Sequence, residues 1–247
     1  MINGIDHTKF LQEFLQTNIG KQIQQDFDVV ECSRGYSSLW EIKRRSQLTF
    51  REIFGLKDYV IGGPTSISIT TLYYLQFLLQ NNPKNIYDIG CGWNIWKRYY
   101  PQIVGIDYNS KYADMHERFN DEFIERNLEK FDAAMSVNMY TGLMQDENGC
   151  VPVTFENYID QIKYFAQVIK PGGRCYIGLH KISFLRETPT KWFEDNNVHP
   201  RDYQKLEKLL LECVKKKFPY RVLSFDCEFD TLDSLTFDGC VRIVFEK

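Results

Sequence analysis

The apolar run Ile86-Tyr87-Asp88-Ile89 leads directly into Gly90-Cys91-Gly92-Trp93-Asn94, the pattern of a β-strand feeding a glycine turn. Two glycines one residue apart let the backbone approach a ligand closely and open the N-terminus of a following helix toward it. Turns of this kind hold nucleotide-like ligands, and the charges nearby decide which. The dinucleotide fingerprint needs a third glycine five residues after Gly90, and that position is Ile95, so the close helix-to-strand packing of that motif fails. Asp88 adds a second objection. Two residues before the first glycine, at the carboxyl end of the strand, its carboxylate repels a pyrophosphate and attracts a cation.

A second acid stands where a nucleoside needs one. Asp107 follows the next apolar run, Ile103-Val104-Gly105-Ile106, 19 residues after Asp88. There a carboxylate can accept hydrogen bonds from both hydroxyls of a ribose. A ligand with a ribose, an ammonium and a sulfonium but no phosphate suits both acids, and S-adenosylmethionine is such a ligand.

Short apolar runs alternating with helical segments must position these residues. Strands are expected over Ile86–Ile89, Ile103–Ile106, Ala133–Val137 and Arg174–Leu179. Between the last two, Tyr158, Ile162, Phe165, Ala166 and Ile169 mark a helix that Pro171-Gly172-Gly173 ends. This is the signature of βαβ units and a parallel sheet. A helix from Arg201 to Lys217 follows, and then two strands, around Tyr220–Phe229 and Phe237–Phe245, close enough in sequence to pair antiparallel. Upstream, His7 to Gln25 reads as an amphipathic helix and Ser33 to Tyr59 as an irregular basic and aromatic segment. The uncharged stretch from Tyr59 to Pro83 is broken by Gly62-Gly63-Pro64. The rest of it reads as a buried helix, N-capped by Thr65 and stopped by Asn81-Asn82-Pro83, and not as a membrane span.

With these elements in order, the chain resembles the class I, Rossmann-like, S-adenosylmethionine-dependent methyltransferases. Asp88-Ile89-Gly90-Cys91-Gly92 is similar to their first motif and Gly105-Ile106-Asp107-Tyr108 to their ribose motif. Phe131 to Asn138 is similar to their fourth strand, and Ile169 to Arg174 to the turn before their fifth. The resemblance implies an α/β fold: a mostly parallel seven-stranded sheet with an antiparallel C-terminal strand pair, in residues 65–247. Residues 1–64 are expected to form a helical N-terminal extension, or lid, and the resemblance carries further. It implies S-adenosyl-L-methionine as cofactor, with Asp88 at the methionyl end, the backbone of Gly90, Cys91 and Gly92 lining it, and Asp107 on the ribose. Tyr108 then lies beside the adenosine and Asn138 near the methionyl group or the acceptor.

Two departures bear on the geometry. Asn94 stands in place of the family's third glycine, a residue that still tolerates a left-handed backbone, and Trp93 is bulkier than the residue usual there. Phe131 comes only 24 residues after Asp107, too short an interval for a helix, a strand and another helix at full length. A reduced third strand or flanking helix is expected.

Catalytic candidates are fewer. His180 follows the strand Tyr176–Leu179 at a carboxyl end and is the candidate base, with a surface or capping role as the competing reading. Tyr140, just past the fourth strand, is a candidate for orienting an acceptor, or a packed aromatic. Cys91 has no base beside it in the sequence and reads as a turn residue, not a nucleophile. Arg34, Tyr36, Trp40, Lys43, Arg44, Arg45, Phe50, Arg51 and Phe54 interleave cations with aromatics, as a nucleic-acid or nucleotide acceptor requires, and also as a solvated helix face does.

The remaining composition excludes classes. In 247 residues, 30 Lys and Arg against 33 Asp and Glu give a net charge of −3, which provides no field drawing the protein onto nucleic acid or anionic lipid. Seven cysteines, an odd number, without C-x-x-C spacing and with no His at zinc-ligand spacing, argue against structural zinc and for reduced thiols in a cytoplasmic protein, and no metal is expected in the site. The reading is a methyltransferase with a small-molecule acceptor. Its rivals are an RNA or nucleotide methyltransferase using the basic-aromatic segment, and a non-catalytic binding module of the same fold. The Asp/Asn-Pro-Pro-Tyr and Pro-Cys signatures of DNA-base methylation are absent, Asn138-Met139-Tyr140-Thr141 standing in place of the first.

Overall fold

The computed structural model describes residues 7–34, 37–44, 66–92, 94–139, 143–146, 149–227 and 240–247. At its centre is a six-stranded sheet of β4 (Ile86–Ile89), β5 (Ile103–Ile106), β6 (Phe131–Met139), β9 (Ile169–His180), β10 (Arg221–Cys227) and β11 (Cys240–Glu246). Their order is β10-β11-β9-β6-β4-β5. Strands β5, β4, β6 and β9 run parallel, whereas β11 is antiparallel to both β9 and β10. This is the expected Rossmann-like arrangement with its reversed closing pair.

The alternation of side chains along each strand divides the core between two faces. Ile86, Ile103, Met135, Tyr176 and Val244 belong to one apolar cluster. Ile89, Ile106, Ala134, Ile177 and Ile243 belong to the other. The first face carries α3 (Ile69–Leu79), which has no charged residue because it is covered on both sides. Tyr74 stacks on Tyr176 of the sheet at 4.9 Å, and Tyr73 meets Phe10 of α1 (His7–Leu15) edge-on at 5.2 Å. Arg174 of β9 donates to the Phe77 carbonyl (2.8 Å) and to Gln80 (3.0 Å), fixing the end of α3 on the sheet. Asn82 takes the left-handed conformation just beyond it, as the Asn81-Asn82-Pro83 stop implies. The opposite face carries α5 (Tyr158–Ala166) and α6 (Tyr203–Lys217), tied together by the buried Tyr158 hydroxyl, which donates to the Leu210 carbonyl at 2.7 Å.

Four expectations are corrected. Six strands, not seven, form this sheet among the described residues. The third is reduced to one parallel bridge between Ile106 and Met115, because 24 residues cannot hold more than this and the short α4 (Asp121–Asn127). The N-terminal segment is not wholly helical. After α1 and α2 (Asn18–Asp26), β1 (Phe27–Arg34), β2 (Ser37–Arg44) and β3 (Ser66–Ser68) form an antiparallel sheet of their own, and the alternation Val29-Val30, Leu39-Trp40-Glu41-Ile42 carries enough β-branched and aromatic residues for it. The uncharged helix accordingly starts at Ile69, after β3, and the expected cap Thr65 lies outside the described residues. Pro171-Gly172-Gly173 is not a free turn but the entry of the long β9, where the Gly172 N–H donates to the Lys247 carbonyl at 2.7 Å. No helix among the described residues is long and apolar enough to cross a membrane.

Candidate functional site

Parallel strands bring their carboxyl ends to one edge of a sheet, and here that edge collects the residues singled out above. Asp88 is the third residue of β4, and the glycine turn begins as the strand ends. In the β4–β5 register Asp88 lies opposite Gly105. Asp107, two residues beyond Gly105, therefore emerges on the same face as Asp88. Asn138 and His180 lie at the ends of the neighbouring β6 and β9, and the β6–β9 ladder skips Asn138, pairing Val137 with Gly178 and Met139 with Leu179. The side chains of Asn138 and His180 lie outside the described structure, as does Tyr140 altogether.

Asp88 is 3% exposed. Among the described residues no cation or hydrogen-bond donor is paired with its carboxylate. Burial, reinforced by the charge of Asp107, raises its pKa from 3.8 to about 7. A buried acid without a partner is costly when ionised, and a cation brought by a ligand removes that cost.

The glycine turn folds back over the end of β5. The Gly90 and Cys91 N–H groups both donate to the Ile106 carbonyl, at 2.8 and 3.2 Å. Gly90 (φ 77°), Gly92 (φ 52°) and Asn94 (φ 52°) are all left-handed, so the asparagine does take the conformation that it was expected to tolerate. Above Gly92 the turn is open: among the described residues, its chain neighbours aside, a Cβ placed there meets no heavy atom within 4 Å. Where a helix was expected to follow, there is only a four-residue 3-10 turn, Ile95–Arg98. The ten residues between Gly92 and Ile103 are too few for a helix of three turns or more.

Asp107 is already engaged. Its Oδ1 accepts the N–H groups of Asn109 (2.9 Å) and Ser110 (3.0 Å), and Oδ2 accepts that of Gly92 (3.1 Å). With about four lone-pair positions on a carboxylate, one remains, on Oδ2. The Ser110 hydroxyl also donates to the Gly92 carbonyl, so acid loop and glycine turn are stitched together. Tyr108 is 55% exposed, with the Arg118 guanidinium over its ring at 5.2 Å. Burial, with the nearby charges of Asp88, Asp107 and Asp114, pushes the Cys91 thiol far up, which is the opposite of what a nucleophile needs.

Sequence reasoning missed Asp114. Its Oδ2 accepts from the Gly105 N–H (2.8 Å) and from Asn94 Nδ2 (3.1 Å), and its Oδ1 pairs with Lys97. Desolvation works to raise its pKa, but the bonds from Lys97, Gly105 and Asn94 and the Lys97 charge outweigh it and hold the carboxyl below its ordinary value. No motif marked this residue. The replacement of a glycine by Asn94, which needs a partner for its amide, was the available signal. Among the described residues no group of three or more His, Cys, Asp and Glu side chains is arranged to hold a metal.

No family model matches the chain, and no curated protein matches it by sequence. Solved structures similar to it include an S-adenosylmethionine-dependent methyltransferase from Mesorhizobium loti, at 12% identity over 71% of this chain and 96% of that one, with a TM-score of 0.41. Another, from Archaeoglobus fulgidus, is 14% identical over 72% of this chain and 91% of its own, with a TM-score of 0.40. The N-methyltransferase NodS of Bradyrhizobium japonicum, in complex with S-adenosyl-L-homocysteine, is 14% identical over 72% and 85%, with a TM-score of 0.40. Likeness at this level carries nothing about activity, which has to be argued from the residues.

Proposed function

We propose that the protein binds S-adenosyl-L-methionine at the carboxyl ends of β4 and β5 and transfers its methyl group to a small-molecule acceptor. The observation that carries this reading is Asp88, a carboxyl 3% exposed, without a cation among the described residues, on the same face as a second acid and beside an open glycine turn. A nucleoside with a cationic amino-acid tail answers each feature. A phosphate-bearing ligand meets two carboxylates.

In this reading Asp88 holds the ammonium of the methionyl tail, and the Gly90–Gly92 backbone lines the space above Gly92. Asp107 takes one ribose hydroxyl at the free position of Oδ2. Tyr108, backed by Arg118, offers a ring face to the adenine. Asn138 faces the methionyl group or the acceptor from the end of β6. The cofactor supplies an activated methyl on a sulfonium, which leaves as a neutral thioether without acid assistance. The protein's task is then to hold the acceptor's lone pair about 3–3.5 Å from that methyl and in line, an effect worth ~7–11 kcal/mol. His180 removes the acceptor's proton where one must be lost, and Tyr140 orients the acceptor. Residues 1–64 serve as the cover of the acceptor pocket. A small acceptor fits the net charge of −3 better than a nucleic acid does.

Titration calorimetry with S-adenosylhomocysteine and with adenosine tests this. The first should bind to the wild type and lose most of its affinity in Asp88→Asn, while adenosine, which has no ammonium, should be indifferent to that change. Absence of S-adenosylhomocysteine binding at millimolar concentration overturns the proposal. Binding that weakens steeply with salt only when an RNA is present would move the acceptor to nucleic acid.

A further inference from the structure

The three left-handed residues of the glycine turn are not equivalent. Gly90 and Gly92 adopt positive φ freely, but Asn94, at φ 52° and ψ 38°, is a side-chain-bearing residue held there against its backbone preference. A long helix after the turn would anchor it, and this chain has only Ile95–Arg98, with no side-chain cap at its start. The Asn94 backbone N–H donates to the Cys91 carbonyl at 2.9 Å, and its side chain is held through the amide nitrogen, which donates to Asp114 Oδ2 and to the Tyr112 carbonyl, both at 3.1 Å. Asn94 Oδ1 is buried without a hydrogen bond from the described residues.

Asp114 is itself fixed by what remains of the third strand. Its N–H and that of Met115 donate to the Gly105 carbonyl, at 2.9 and 3.1 Å, and the Asp107 N–H donates to the Met115 carbonyl at 3.1 Å. One carboxylate thus bonds the glycine turn through Asn94, strand β5 through the Gly105 N–H, and the segment after the turn through Lys97. Gly105 completes the fit, since a Cβ there would fall 2.6 Å from Asn94 Cγ.

We propose that Asp114 is a positioning residue for the cofactor turn, acting through Asn94 to hold that turn in its left-handed form where the usual third glycine and following helix are missing. The assignment rests on the cofactor reading of the turn. Asp114 touches no reacting atom. It sets the backbone that the ligand meets.

A double-mutant cycle of Asp114→Asn and Asn94→Gly tests it, because glycine at 94 needs no anchor. Two quantities are read: the S-adenosylhomocysteine dissociation constant, and amide hydrogen exchange in the ligand-free protein. In Asp114→Asn, exchange at Gly92 and Asn94 should quicken and affinity should drop, each by about tenfold, while exchange at Ile177 and Ile243 in the sheet stays as in wild type. In the Asn94→Gly background the same change at 114 should cost less than about threefold. An equal effect in both backgrounds overturns the proposal, since Asp114 would then act on β5 alone. So does unchanged exchange at Gly92 and Asn94, or exchange quickened as much at Ile177 as in the turn. If the wild type fails to bind S-adenosylhomocysteine yet the exchange pattern appears, the positioning role stands and the cofactor reading falls.

Discussion

Asp88 and Asp107 leave adjacent parallel strands on the same face of the sheet, and the charge of Asp107 adds to burial in keeping the Asp88 carboxyl protonated to about pH 7. In the unfolded chain the same carboxyl ionises near 3.8. Between these values the unfolded state loses its proton while the folded state keeps it. Stability therefore falls as pH rises from about 4 to about 7 and is level beyond, as far as this group is concerned. Asp88→Asn removes the cost without changing the side chain's shape. It should be indistinguishable from wild type in urea unfolding near pH 4 and more stable by about 2–4 kcal/mol at pH 8. Equal stability at pH 8 would show that Asp88 ionises normally.

The same proton governs ligand binding. A cationic tail needs the ionised carboxylate, so below pH 7 each binding event releases one proton. The affinity for S-adenosylhomocysteine should fall by about tenfold per pH unit below 7 and change little between 7 and 8. Calorimetry in two buffers of different ionisation enthalpy at pH 6 counts the proton directly. A count of zero separates the ligand's charge from Asp88.

Asp107 offers asymmetric recognition. Because Oδ1 is filled by two backbone N–H groups and Oδ2 by one, a single ribose hydroxyl can bond it without displacing the Gly92 amide. The 2′-deoxy and 3′-deoxy forms of S-adenosylhomocysteine should consequently differ. One should lose about 1.5–3 kcal/mol of binding, the worth of a hydrogen bond to a charged group, and the other little. Equal losses would mean that the loop opens to present both oxygens, contrary to the closed arrangement.

The strand positions were legible because alternation and short apolar runs are local, and β4, β5 and the closing pair begin and end within three residues of where their patterns do. The shortening of the third strand was legible as arithmetic on the interval from Asp107 to Phe131. The loss of the helix after Gly92 was open to the same count and was hidden by the glycine motif, whose usual sequel is a helix. Asp114 was hidden for a different reason. Its partners Asn94 and Lys97 lie 20 and 17 residues away, and only the fold of β5 brings them together. The hairpin β1–β2 was obscured by its charges, since basic residues alternating with aromatics read equally as a strand or as a solvated helix face.

Gly105 and Gly92 separate the scaffold from the binding surface. A Cβ at Gly105 would lie 2.6 Å from Asn94 Cγ, and 2.7 Å from both Asn94 Nδ2 and Cys91 Sγ. The Asn94 amide is held by Asp114 and Tyr112 and cannot swing aside. Gly105→Ala should therefore cost about 1–3 kcal/mol through overpacking. At Gly92 a Cβ meets none of the described residues within 4 Å beyond its chain neighbours, and the positive φ opposes it, for about 1–2 kcal/mol. If the cofactor occupies the space above Gly92, that methyl group intrudes on it. Gly92→Ala should then lose affinity for S-adenosylhomocysteine by well over what its stability loss suggests, with its urea midpoint measured alongside. A Gly92→Ala protein that is slightly less stable yet binds as the wild type does would place the ligand elsewhere along the sheet edge.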